Sequence, residues 1–204
     1  MVLHHFAFVT VLRKPEITDL LDSVSDVAVI AVDIPIGIDG PYPRRADVAA
    51  RAFVEERRSS VFMTPPRSVL VASDYEQATR VAEKAIGTGV SRQAFALGPK
   101  ILQVDAVARD ESRVIEVHPE VSFRAMAGQA LTHSKKSWNG LKQREQLLID
   151  TGIVIPSELP IPGSVAADDV LDAAAAAWSA HRYAAGEARS LPEDPVSGES
   201  LIWY

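Results

Sequence analysis

An uninterrupted apolar run, Val-Ala-Val-Ile-Ala-Val at residues 27–32, ends in Asp33. No other feature restricts the fold of this chain as strongly. A strand with one solvated face alternates apolar and polar side chains. A continuous run needs cover on both faces, as in a parallel strand lying between layers of helices. The preceding segments agree with this. Residues 5–12 read as a strand, and Ile17, Leu20, Leu21 and Val24 share one helical face within residues 16–24. Strand, helix and buried strand in that order are the parts of a βαβ unit.

Beyond Asp33, Pro35, Gly37, Gly40, Pro41 and Pro43 make a loop. Apolar spacing predicts helices over residues 47–58, 75–86, 92–107, 119–127, 140–149 and 166–185. Asp74 and Ser91 are positioned as N-caps, and Gly98-Pro99 is expected to interrupt the helix that Ser91 begins. Residues 114–117 read as a short strand. Pro156, Pro160 and Pro162 read as a rigid connector, and residues 185–204 as a polar tail with a last strand at 201–204. With no internal repeat, 204 residues fit a single α/β domain, 1–204, with a full core.

At 47% hydrophobic and 24% charged residues, the chain is not expected to be disordered. It has no apolar run long enough for a membrane span and no secretory pattern at its start. The lack of cysteine excludes disulfides, thiolate metal sites and cysteine nucleophiles, and fits a cytoplasmic protein. A net charge of −6 argues against a generic nucleic-acid coat. The charge is unevenly spread, however: residues 44–67 carry +3, residues 133–144 carry +4, and residues 145–204 carry −8. Basic patches beside an acidic segment suit an anion next to a carboxylate site, although an ordinary solvated surface gives the same counts.

Four places carry candidate chemistry. Asp33 stands at the carboxyl end of the buried run, at the rim where open α/β sheets bind ligands; capping the following loop is its structural alternative. In Ala-Asp-Asp-Val-Leu-Asp-Ala, residues 167–173, Asp168 and Asp172 lie about 40° apart around a helix, with Asp169 on the same flank. Clustered acids repel unless a cation joins them, although N-terminal capping accounts for Asp168 and Asp169 as well. Glu116 and His118 would share one face of a strand, with Glu120 at the next helix start, as a ligand and a base or as structural hydrogen-bonding groups. Lys135, Lys136 and Arg144, with Arg57-Arg58-Ser59-Ser60 elsewhere, suit phosphates.

Taken in order, Asp-Ile-Pro-Ile-Gly (33–37), Arg-Arg-Ser-Ser-Val-Phe with Pro-Pro-Arg (57–67), Pro-Lys-Ile (99–101), Glu-Val-His-Pro-Glu-Val-Ser-Phe (116–123), Ser-Lys-Lys with Gly and Arg (134–144) and Asp-Asp-Val-Leu-Asp-Ala (168–173) resemble the family described as predicted nucleases of the ribonuclease H-like fold. The resemblance runs from about residue 16 through nearly the whole chain. It implies a mixed sheet flanked by helices and an acidic site for two divalent ions, Mg²⁺ or Mn²⁺, hydrolysing phosphodiesters. Asp33 matches the superfamily's fourth-strand acid, and Asp169 and Asp172 resemble the paired helix acids of Holliday-junction resolvases. Asp33, Asp169 and Asp172 would then be the metal ligands, with Glu116 as a further catalytic acid. Arg58, Lys100, Lys135, Lys136 and Arg144 would hold nucleic acid.

The resemblance also exposes a departure. Relatives begin with a hairpin that carries a Gly-Val-Asp strand, and residues 5–12 look like the strand after it. Without that hairpin the edge of residues 27–32 is open. Either residues 5–12 move in to pair with it, or a second copy fills it in a homodimer. The missing acid implies low nuclease activity, and a non-catalytic scaffold binding nucleic acid or protein is the alternative. No glycine-rich phosphate loop supports the related actin-like kinases.

Overall fold

The N-terminal segment turns back on itself where one strand was expected. The structure is a computed structural model that describes every residue except 11, 13, 15 and 160–164. Val11 and Pro15, and Pro160 and Pro162 of the expected connector, therefore lie outside the described residues. Strands β1 (Val2–His4) and β2 (Ala7–Thr10) form an antiparallel hairpin. Its turn residues, His5 and Phe6, have φ of 49° and 64°. Such a left-handed pair matches strand twist, but Asn-Gly is its usual sequence mark, and His-Phe carries no such signal. Met1, Leu3 and Phe6 pack into a cluster with Phe123, Leu148, Leu171 and Trp178. The hairpin thus forms a sheet of its own, and the expected βαβ unit does not form.

The apolar run is a strand over Ile30–Val32 (β3), paired in parallel with Val114–Glu116 (β4). Helix α1 (Ile17–Ser23) covers one side through Ile17 and Leu21, which pack with Ile30, Val32, Val104 and Val114. On the other side Val29, Ala31, Ile115 and Val117 meet Ala176. Both faces are covered, as the run requires, at about 1.5–3 kcal/mol for each large side chain fully buried. β4 is the single strand neighbour of β3 among the described residues, so the other edge of β3 stays open. Of the two outcomes expected for that edge, pairing with residues 5–12 does not occur.

The helices largely follow the apolar spacing. The expected helix over 47–58 divides into α2 (Arg45–Phe53) and a 3-10 turn (Glu55–Ser60), with Glu55 at φ 51° between them. After α3 (Arg67–Leu70), Asp74 caps α4 (Tyr75–Ile86) and Ser91 caps α5 (Arg92–Asp110). Helix α5 runs on through Gly98-Pro99: the missing N–H removes one hydrogen bond, while buried Ala94, Ile101 and Val104 hold both halves against the core. Helices α6 (Pro119–Ala127), α7 (Trp138–Asp150) and α8 (Ala167–Ala184) follow.

The tail is not merely polar. It returns as an antiparallel pair, β5 (Ser190–Leu191) and β6 (Ile202–Trp203), and Trp203 bridges to Val117 beside β4. Leu191, Ile202 and Tyr204 join Ala46, Ala50, Val54, Val61 and Val121 in a core cluster. The result is a mixed α/β protein, about half helical, with small two-stranded sheets. Among the described residues no helix is long and apolar enough to cross a membrane.

Helix α7 meets the segment before it very closely. A Cβ at Gly140 would stand 1.8 Å from the Ser134 carbonyl oxygen. Gly140→Ala is therefore expected to destabilise the protein by about 1–3 kcal/mol, read as a lower urea midpoint. An unchanged midpoint would mean that residues 133–137 shift without cost.

Candidate functional site

Because β3 and β4 are parallel, their carboxyl ends emerge together, the side on which open α/β sheets bind ligands. Asp33 follows β3 and Glu116 closes β4. His118 begins α6 at the same end, and the first turns of α8 bring in Asp168 and Asp172. Asp172 is close enough to Asp33 to disfavour its charge.

Two buried carboxylates shape the loop after Asp33. Glu116, 5% exposed, accepts both oxygens' worth of hydrogen bonds from Arg44 Nη2 at 2.9 and 2.7 Å, and another from the Ile36 backbone N–H at 2.7 Å. Burial pushes its pKa up to about 7, with Arg44 and Ile36 opposing. Arg44 in turn reaches Thr64 Oγ1, and Asp47 accepts from the Thr64 N–H at 2.8 Å. Asp105, on α5, accepts from the N–H groups of Gly37 and Ile38 at 2.7 and 3.3 Å, and also pairs with Arg67 and Arg109. Burial pushes its carboxyl up, but the hydrogen bonds from Arg109, Gly37 and Ile38 outweigh that and lower its pKa. Gly37 itself sits at φ 76°, and a Cβ there would lie 2.4 Å from Ser200 Oγ.

Asp33 is exposed to water, yet it lies in a recess surrounded by protein. Burial first, then Asp172, push its pKa up to about 8, and Lys135 opposes them. No hydrogen bond holds its carboxylate among the described residues. Asp172 accepts from Lys135 Nζ on Oδ2 at 2.5 Å, while its Oδ1 is buried without a partner. Burial raises its pKa and Lys135 works against this. Lys136 Nζ lies 2.6 Å from Asp168 Oδ2, and this contact lowers the Asp168 pKa. Among the described residues no group of three or more His, Asp or Glu stands ready to hold a metal ion. The chain's own ammonium groups lie between these acids instead.

Several residues expected at the site have other surroundings. Arg144 is fully buried, not a phosphate contact. It donates to Glu120 Oε1 and Oε2 at 2.6 and 2.8 Å, and to the carbonyls of His133 and Gly140. Glu120, 2% exposed, also receives Arg57 at 3.0 Å. Glu116 is likewise enclosed and serves the loop bearing Asp33. His118 caps α6, accepting from the Glu120 N–H at 3.2 Å; burial lowers its pKa to about 4, so it is neutral near pH 7. Asp168, not Asp169, accompanies Asp172: they are one turn apart and face inward, while Asp169 is exposed and makes no ion pair among the described residues. Arg58 on the 3-10 turn and Lys100 on α5 are exposed, and neither forms an ion pair among the described residues.

Arg44, Asp47 and Asp105 were not singled out from the sequence, and Arg57, expected beside phosphates, instead holds Glu120. Arg44 meets Glu116 across 72 residues, a pairing that no local spacing reveals. Asp105 did carry a signal: it lies four residues after Ile101 and next to Val104, an acid set within the apolar stripe of its helix.

No curated protein and no solved structure shows a match to the chain. A family described as protein of unknown function, DUF429, matches residues 2–197, nearly its whole length. The chain, with its acidic recess at the ends of two parallel strands, therefore belongs to the DUF429 family.

Proposed function

We propose that this chain is a divalent-metal-dependent nuclease of ribonuclease H-like descent. The observation carrying this reading is the meeting of Asp33 with Asp172, two carboxylates with unpartnered oxygens, at the carboxyl ends of parallel strands. Hard divalent cations take oxygen donors of this kind. Bound Mg²⁺ or Mn²⁺ would supply an activated water and stabilise a leaving oxygen. Asp33 and Asp172 would hold the ion, and Asp168 would supply charge beside them. Through Ile36, Glu116 keeps the loop of Asp33 in place. Lys136, 70% exposed, and Arg58 would meet phosphates.

A second reading, a scaffold binding nucleic acid without cleaving it, is favoured by one observation. Glu116, Glu120, Asp168 and Asp172 already have basic partners within the chain. Mn²⁺ separates the two. For a nuclease site, paramagnetic broadening should centre on Asp33 and Asp172; broadening that spares both would remove the metal site. Nucleic-acid binding should weaken with salt, and Lys136→Ala should lower the salt slope by about one. Binding that ignores salt would exclude a phosphate role for Lys136.

A further inference from the structure

Lys135 reaches the middle of the acidic cluster. Its Nζ is 2.5 Å from Asp172 Oδ2 and 4.0 Å from Asp168 Oδ2, and its charge acts on Asp33 as well. Lys136 approaches Asp168 from the more exposed side. A divalent cation held by Asp33 and Asp172 would have to share the Asp172 carboxylate with the Lys135 ammonium, since Oδ2 already accepts from Lys135 and Oδ1 is without a partner. Two cations so close, in a recess walled by protein, repel strongly. Lys135 has the means to leave. Its side chain is 35% exposed, and a four-carbon stem carries the charge. Phosphate oxygens entering the recess would offer the ammonium another partner.

We propose that Lys135 and a divalent cation occupy the Asp33, Asp168 and Asp172 cluster alternately, and that a nucleic-acid phosphate draws Lys135 out, so that polyanion and metal bind with positive coupling. This rests on the metal-site reading above. Without polyanion the ammonium stands in for the ion and holds the acids together. With polyanion the same ammonium becomes a phosphate ligand and leaves the carboxylates to the metal. By linkage, the ion must tighten polyanion binding by the factor with which the polyanion tightens the ion.

The test measures Mn²⁺ binding, not cleavage. Free Mn²⁺ is counted by electron paramagnetic resonance, and amide broadening at Asp33, Asp168 and Asp172 locates the bound ion. Lys135→Met keeps the apolar stem and removes the charge. It is expected to bind Mn²⁺ about tenfold tighter than the native chain without polyanion. A short single-stranded DNA should tighten Mn²⁺ binding at these residues by a similar factor in the native chain, and have little effect in Lys135→Met. Lys136→Met, which frees Asp168 alone, should show a smaller gain. Equal Mn²⁺ affinity at the cluster for Lys135→Met and the native chain would overturn the alternation and leave the metal site standing. Broadening at none of the three residues, with or without DNA, would overturn both. The native titration with and without DNA needs no variant, and an absence of tightening there would by itself overturn the coupling.

Discussion

Arg144→Ala should destabilise the protein by about 3–5 kcal/mol, the usual result of removing one partner from a buried ion pair. For a chain of this size that lowers Tm by about 10 °C. The effect is large because Glu120 is 2% exposed and both of its oxygens accept from Arg144. Without the guanidinium, Glu120 retains Arg57 on one oxygen and stays buried beside Asp172. The His133 and Gly140 carbonyls lose their donor too, which loosens the segment bearing Lys135 and Lys136. Adding Glu120→Leu with Arg144→Leu should recover much of the loss, since removing both charges also removes the uncompensated one. Thermal and urea unfolding of the single and double variants check this. A single-variant loss below about 1 kcal/mol would show that Glu120 finds other compensation.

Asp33→Asn should act in opposite directions on stability and on cleavage. The folded chain holds the Asp33 carboxyl at a pKa of about 8, through burial and Asp172, whereas an unfolded chain releases that proton at about pH 4. Between those values the native state binds the proton and the unfolded state does not, so stability falls as pH rises through that window. Asparagine has no proton to hold. The variant should therefore gain stability over the native chain as pH rises from about 4 toward 8, and the remaining pH dependence should reflect groups such as Glu116, which shifts in the same sense. Denaturant midpoints across that range measure the effect, and a constant difference between the two proteins would contradict it. Any Mn²⁺-dependent cleavage of labelled single-stranded, duplex or branched DNA and RNA should fall about a hundredfold or more, since loss even of groups supporting metal ligands costs 10–100-fold. Robust turnover by the asparagine variant would put the metal elsewhere.

Local chemistry in the sequence marks much of this fold. The caps Asp74 and Ser91 begin α4 and α5, and apolar spacing places α6 and α8 within a residue or so of their ends. These signals act over three or four residues, the range of a helix turn, and need no distant partner. The continuous apolar run likewise required cover on both faces, and α1 and α8 provide it. Where tertiary packing overrides local preference, the same reading fails. Gly98-Pro99 does not end α5, and the polar tail delivers Leu191, Ile202 and Tyr204 to the core.

The acidic site divides along the same line. Asp33 and the acids of residues 168–172 stand out in the sequence because a carboxylate closing an apolar run, or several on one helix flank, is conspicuous within a few residues. Which acids keep a free oxygen depends on partners far along the chain: Arg44 on Glu116, Arg144 on Glu120, Lys135 on Asp172 and Lys136 on Asp168. An ion pair is a matter of distance in space and of shared burial, and neither has a period in sequence. The residue types and their local frames were therefore legible in advance. The pairing that leaves Asp33 and one oxygen of Asp172 unpartnered arose only when the chain folded and brought its own cations into the recess.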